Sequence, residues 1–193
     1  MKPRLRNKSA GGVFLLIAMR EKEPFQYLGK FNDFEKLLEV VNDFKELDWK
    51  KYKKRNSGIA AEYSDTIPLI YDPKLNINSN IKHENYDRCE NLLLDLLKVV
   101  SPKFEDLTIK QAMFTRLARG VEIKRHKDVG PITQKTHRIH VPIITNEKCI
   151  FTIENESRNM KAGEVWLIDN TDRYHSVVNN GNCDRVHLIV DVI

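Results

Sequence analysis

Arg138-Ile139-His140-Val141-Pro142-Ile143 and Arg185-Val186-His187-Leu188-Ile189-Val190 read as two strands of one design. Successive side chains of a strand point to opposite faces, so in each segment an arginine and a histidine share one face while branched or long apolar residues fill the other. If the apolar faces formed a barrel interior, both Arg-His pairs would point to water and the amphipathic helices elsewhere in the chain would have nothing to cover. The reverse arrangement satisfies both elements. It places the apolar faces under helices and points Arg138, His140, Arg185 and His187 into a polar cavity. Burying two arginines without anionic partners is costly, so that cavity is expected to contain an acid or an anionic ligand.

The helices are legible upstream. Asn32 with Glu35 three residues later has the form of a capping box, and Phe34, Leu37, Leu38, Val41 and Phe44 follow at helical spacing, predicting a helix that ends near Leu47. A second helix is predicted from Tyr86 to Val100, with Cys89, Leu92, Leu93, Leu96 and Leu97 on one face and a stop before Pro102. Thr66 to Tyr71 reads as a strand between them. From Gln111 onward, strands are expected at Ala112–Ala118, Val121–His126, Arg138–Thr145, Cys149–Glu154, Glu164–Ile168, Tyr174–Val178 and Arg185–Val192. Gly120, Gly130-Pro131, Thr145-Asn146, Ala162-Gly163, Asp169-Asn170 and Asn179-Asn180-Gly181-Asn182 supply the bends. Many short strands after helices indicate a mainly β protein with flanking α-helices, a β-sandwich or jelly roll. The 193 residues suit one domain, with a helix-rich half of about 1–110 packing on a β-core of about 111–193.

Composition excludes several classes of function. Hydrophobic residues at 41% and charged residues at 31% describe a globular protein, and the apolar runs Val13–Met19 and Leu92–Leu97 are too short to span a bilayer. The first run follows a basic start, but Arg20, Glu21, Lys22 and Glu23 stand where a signal-peptide cleavage site would be, so a cytoplasmic protein without membrane association is expected. Lys50, Lys51, Lys53, Lys54 and Arg55, interleaved with Trp49 and Tyr52, form the densest part of a +5 net charge. This block reads as a solvated face with one aromatic tucked into the core; nucleic-acid binding is the alternative. Cys89, Cys149 and Cys183 have neither disulfide-framework nor zinc spacing and are expected to be reduced thiols.

His126-Lys127-Asp128 places an imidazole and a carboxylate on one face of an extended segment, and His175 is positioned to complete a set. Two histidines and one carboxylate on one side of a divalent ion leave other coordination positions open, an arrangement suited to non-haem Fe(II). A structural hydrogen-bonded triad is the alternative.

Phe114-Thr115, Gly120, His126-x-Asp128, Arg138-x-His140-Val141-Pro142, Gly163-Glu164-Val165-Trp166, Asp169-Asn170, His175-x-Val177-x-Asn179, Arg185 and His187 occur in an order that resembles the aspartyl/asparaginyl β-hydroxylase family, whose bacterial members include proline cis-4-hydroxylases. The resemblance implies a double-stranded β-helix (jelly roll, cupin-like) and an Fe(II)- and 2-oxoglutarate-dependent dioxygenase. Such an enzyme consumes O2, hydroxylates an amino acid, free or peptidyl, and releases succinate and CO2. It implies His126, Asp128 and His175 as the iron ligands and Arg185 as the partner of the far 2-oxoglutarate carboxylate. Arg138, His140 and Thr115 match cosubstrate-contacting positions, and His187 is a further candidate. Asp128 sets the chain with the bacterial branch, since the animal enzymes lack that carboxylate.

Trp166 reads as a core residue, and Trp49, Arg55, Arg116 and Arg119 as substrate-side candidates, although strand parity turns Arg116 away from the cavity. His83 and His137 read as surface residues. Desaturation and hydroxylation of a non-amino-acid metabolite are rival outcomes of the same iron chemistry. The rival of another class is a metal-binding or nucleic-acid-binding cupin-like module without oxygenase activity.

Overall fold

The two Arg-His strands lie side by side at the centre of a six-stranded antiparallel sheet. The computed structural model describes residues 23–52, 59–104, 106–128, 130, 132–169 and 172–193. In chain order these form β1 (Phe25–Lys30), α1 (Phe34–Asp43), α2 (Glu46–Lys51), α3 (Ile59–Tyr63), β2 (Ser64–Ile70), α4 (Tyr86–Val100) and β3 (Ile109–Leu117). There follow β4 (Glu122–His126), β5 (His137–Ile144), β6 (Cys149–Ile153), β7 (Glu156–Arg158), β8 (Glu164–Ile168), β9 (His175–Asn179) and β10 (Arg185–Val192). The larger sheet has the order β1-β8-β5-β10-β3-β2, and β4-β9-β6-β7 form a smaller facing sheet.

Strand alternation sorts the larger sheet into two chemistries. Ile139, Val141 and Ile143 of β5 and Val186, Leu188, Val190 and Val192 of β10 join one cluster with Leu37 and Val41 of α1 and with Leu93 and Leu96 of α4. The opposite face looks toward the smaller sheet, where Phe25, Leu117, Ile123, Phe151, Ile153, Met160, Ile168 and Val177 form a second apolar cluster. Arg185, His187 and Asp191 of β10 and His140 of β5 are buried among these layers. The β-rich jelly roll is therefore the fold, with α1, α2 and α4 packed on the outer face of the larger sheet and α3 against β4.

The two halves of the chain interleave. β1 and β2, from the helix-rich part, form both edges of the larger sheet, and β1 pairs with β8 from Phe25↔Ile168 to Lys30↔Glu164. β1 escapes a reading by alternation because Phe25-Gln26-Tyr27-Leu28-Gly29-Lys30 carries a register shift between Tyr27 and Gly29. The first predicted helix stops at Asp43, earlier than Leu47, because Phe44 turns extended at ψ 130° and α2 begins afresh. The Phe44 ring packs edge-on against both Trp49 and Phe114. Asn32 does not cap α1. Asp33 occupies the N-cap position without a side-chain capping bond, its carboxylate pairing with Lys36 instead, whereas Asp48 accepts the Lys45 backbone N–H at 2.7 Å at the start of α2.

The surface placement of His137 and His83 and the substrate-side placement of Trp49 need correction, whereas Arg116 turns away from the cavity as its strand parity predicts. His137 is buried against Phe104 at a ring separation of 5.0 Å, and His83 is half-buried beside the Tyr71 carbonyl. Trp49 lies in the core under the helices, and Arg116 stacks 5.0 Å above its ring while pairing with Glu46 and Asp65, so neither faces the space between the sheets. Tyr52 donates to Glu84, which also pairs with Lys51. That end of the basic block is thus engaged within the protein. Lys53, Lys54 and Arg55, with Val13–Met19, Pro131 and Asn170, lie outside the described residues.

One backbone device and one side-chain device join the layers. Gly163 adopts φ +78°, which favours glycine, and links three elements: its N–H donates to Pro142 and its carbonyl accepts from Phe31. Asn179, fully buried at the end of β9, donates to the carbonyls of Leu117 and Cys183 at 3.1 and 3.0 Å and accepts from Asn146. It thereby ties the small sheet to β3 and to the turn before β10. Replacing Asn179 with Ala strands these groups and is expected to cost about 2 to 3 kcal/mol. The exposed neighbouring Asn180→Ala should stay within about 0.5 kcal/mol, and urea unfolding of both variants checks the contrast.

Candidate active site

His126 ends β4 and His175 begins β9, where the two residues are direct cross-strand partners. Pairing brings their rings to 4.2 Å between centroids. Asp128, two residues beyond His126, places Oδ1 at 3.5 Å from His126 Nε2 and 3.7 Å from His175 Nε2. One ligand atom from each of the three residues lies within 4.8 Å of the others.

Backbone carbonyls set the orientation of both rings. A carbonyl can only accept, so Nδ1–H of His126 donates to Lys124 at 2.7 Å and Nδ1–H of His175 to Arg173 at 3.2 Å. In the neutral rings, each Nε2 presents a lone pair toward Asp128. His126 Nε2 is buried and has no hydrogen-bond partner. Two imidazole nitrogens and one carboxylate oxygen, pre-oriented from behind, fit a divalent iron ion.

Arg138 forms the support of the carboxylate. One face of its guanidinium fork binds Asp191 through Nε at 2.8 Å and Nη2 at 3.0 Å, while Nη1 donates to Asp128. Asp191 is the cross-strand partner of Arg138 and is almost fully buried. Burial works against the charges, but mutual attraction more than offsets it: Asp191 and Asp128 hold the Arg138 pKa above its ordinary value. Asp128, despite burial, is held well below the carboxylate range by Arg138, His126 and His175. Asp128 raises the pKa of His126, whereas burial lowers that of His175.

Arg185 has a different environment. It is buried, and among the described residues no carboxylate lies within 4.0 Å of its guanidinium; Asp184, Asp191 and Glu164 are occupied elsewhere. Desolvation lowers its pKa to about 10. Nη2 donates to His187 Nδ1 at 2.8 Å, which assigns the His187 proton to Nε2. His140 Nδ1 lies 3.3 Å from the same acceptor and so carries a proton, leaving His140 Nε2 as a buried acceptor without a partner. Burial, followed by the Arg185 charge, pushes both histidines well below their usual pKa and keeps them neutral. Thr115, opposite His187 on β3, has a buried hydroxyl without a hydrogen-bond partner. Arg185 and His187 line a narrow recess together with Thr145, Cys149, Phe151 and Met160.

Phe151 links the two regions, stacking on His175 at 5.9 Å and meeting His140 edge-on at 5.7 Å. Trp166 is only half-buried beside the inner cluster. It sits opposite His140, donates its indole N–H to Glu164 and touches Tyr27 edge-on. Arg119 is exposed. Sequence reasoning missed Asp191 as an organiser of the site; its alternation with His187 on β10 was the available signal.

A family model described as aspartyl/asparaginyl beta-hydroxylase matches residues 22–193. Among solved structures, a 2OG-Fe(II) oxygenase family oxidoreductase from Burkholderia pseudomallei is similar at TM-score 0.64 and 11% identity, covering 97% of this chain and 92% of that one. A prolyl hydroxylase from Trichoplax adhaerens, solved with a hypoxia-inducible-factor peptide fragment, gives TM-score 0.60 and 11% identity over 93% and 88% of the two chains. A Pseudomonas putida prolyl-4-hydroxylase gives 0.52 and 13% over 92% and 97%. At these identities the structural likeness concerns the fold, and the family rests on the match along nearly the whole described chain. The chain belongs to the aspartyl/asparaginyl β-hydroxylase family, and its class is that of the Fe(II)- and 2-oxoglutarate-dependent hydroxylases.

Proposed function

We propose that His126, Asp128 and His175 hold Fe(II) and that Arg185 receives the far carboxylate of 2-oxoglutarate. The observation that carries this reading is a buried arginine without a carboxylate partner among the described residues, across Phe151 from a preformed two-histidine, one-carboxylate set. When bound, iron and 2-oxoglutarate supply the oxidising chemistry, using O2 to hydroxylate the substrate and releasing succinate and CO2.

The protein's own groups orient and insulate. Arg138 fixes Asp128 and is itself held by Asp191, so its role is to position a ligand rather than to grip the cosubstrate. Thr115 offers a hydroxyl and His187 carries a neutral ring beside Arg185, giving a planar anion both a charged fork and neutral donors. His140 lines the route between recess and metal ligands, and Phe151 keeps water from the back of His175. No side chain acts as nucleophile. The substrate in this reading is an amino acid, free or within a peptide, as the family match favours. The described helices are not long and apolar enough to cross a membrane, and three free thiols favour a reducing, cytoplasmic setting.

Anaerobic titration with Fe(II) and then 2-oxoglutarate should develop the weak visible charge-transfer band of the chelate. His175→Ala should abolish it. Arg185→Ala should retain iron binding and weaken 2-oxoglutarate by about a hundredfold; an unchanged affinity would sink the assignment of the recess. Arg138→Lys, which cannot form the same fork, should weaken iron by about 10- to 100-fold, readable by competition with a chelator.

Acid should destabilise the metal-free fold. The folded pKa values of His140, His175 and His187 lie below the unfolded value, so their contribution is present above about pH 6.5 and declines as pH falls below it. Each costs about 1.4 kcal/mol per pH unit while its unfolded form alone is protonated, and His126, raised, acts in the opposite direction. Urea unfolding at pH 7.5 and 5.5 should show lower stability at pH 5.5, with a smaller difference in His140→Gln.

A further inference from the structure

The recess that contains Arg185 is lined by a second arginine, Arg158. Arg158 ends β7, the three-residue edge strand of the smaller sheet. Its guanidinium reaches across to the larger sheet, 5.8 Å from the Phe25 ring of β1 and 5.9 Å from Trp166 of β8. It therefore bridges the two sheets at this edge of the sandwich. The Phe25 ring in turn packs edge-on against Phe151, which reaches the recess from within.

Arg158 is exposed and weakly neutralised. Among the described residues its carboxylate neighbour within 4.0 Å is Glu156, on its own strand at 3.9 Å, with both side chains about half in water. Such a pair contributes little. The aromatic rings hold the guanidinium plane without cancelling its charge. Two arginines of the same sign thus face one small recess, one deep and desolvated, the other at the surface, with no carboxylate between them among the described residues. A half-exposed cation beside the recess raises the local concentration of anions.

We infer that Arg158 is the outer member of an arginine pair and admits and retains the dicarboxylate cosubstrate through the sheet-edge side of the sandwich, apart from the metal ligands. The inference rests on the assignment of the Arg185 recess to 2-oxoglutarate. Arg158 acts as a point of electrostatic capture, and its stacking on Phe25 and Trp166 keeps the charge over the entrance rather than trailing in solvent.

The test measures 2-oxoglutarate binding to the anaerobic Fe(II)-loaded protein by titration calorimetry and by the stopped-flow rise of the charge-transfer band, for wild type, Arg158→Gln and Arg158→Lys. Arg158→Gln should bind about tenfold more weakly, mainly through slower association, and its association rate should depend less steeply on salt than that of the wild type. Arg158→Lys should recover most of the rate. Iron affinity and melting temperature of the metal-free protein should stay unchanged in both variants, since Arg158 lies on an exposed edge. Equal affinity and equal salt dependence in wild type and Arg158→Gln would overturn the proposal while leaving the Arg185 assignment intact. Absence of 2-oxoglutarate binding in the iron-loaded wild type would overturn both.

Discussion

Ionic groups between two sheets persist only as a compensated set, and the interior of this fold is organised by that requirement. Arg138 carries one positive charge between the negative Asp128 and Asp191, and Arg185 carries another at the far side of Phe151. These four buried charges sum to zero but are not evenly spread: the end with Asp128 and Asp191 is left one unit negative, and the buried end of the recess, at Arg185, one unit positive. A divalent cation at the first end and a dicarboxylate reaching toward the second preserve the overall neutrality and match each local excess. On the proposed function, this charge placement suits an elongated dianion together with a cation better than either alone.

The same requirement accounts for the neutral histidines. Protonating His187 would put a second positive charge against Arg185 in a dry environment, and burial plus that neighbour hold it neutral. His187 then accepts a hydrogen bond from the guanidinium at Nδ1, so the arginine is oriented without being neutralised. A carboxylate in the position of His187 would orient Arg185 equally well, but would close it as an anion site.

The two-faced character of β5 and β10 was legible because alternation is local: it needs only the order of residues along one strand. The pairing of Arg138 with Asp191 was not, because it depends on the register of β10 against β5, and the sequence alone allowed Asp191 to be matched with Arg185 instead. Similarly, the helix Tyr86–Val100 was readable from its apolar face and the proline that follows. The break at Phe44 was hidden, since Phe44 continues the helical spacing while its ring is drawn to Trp49 and Phe114. β7 is too short to carry a period, and Arg158 could not be placed near Arg185 until the hairpin of β6 and β7 was seen folding against the edge of the other sheet. His126, Asp128 and His175 were identified by the ordered motif around them, and only cross-strand pairing shows why the two histidines meet.

Both outer strands of the larger sheet come from early in the chain, while their neighbours and the partner of Arg138 come late. Such long-range pairing makes folding slow relative to a helical protein of this size, because closure of large loops precedes the reward of the contacts. A ribosome-bound chain that has emerged as far as β5 has Arg138 in hand but neither β8 to shield β1 nor Asp191 to neutralise the guanidinium. Its early strands are then unpaired edges, open to association with other chains. The candidate ligand set is consequently assembled late: Asp128 is steadied by Arg138 and Asp191 only after β10 has been made, so a nascent chain short of β10 lacks that support.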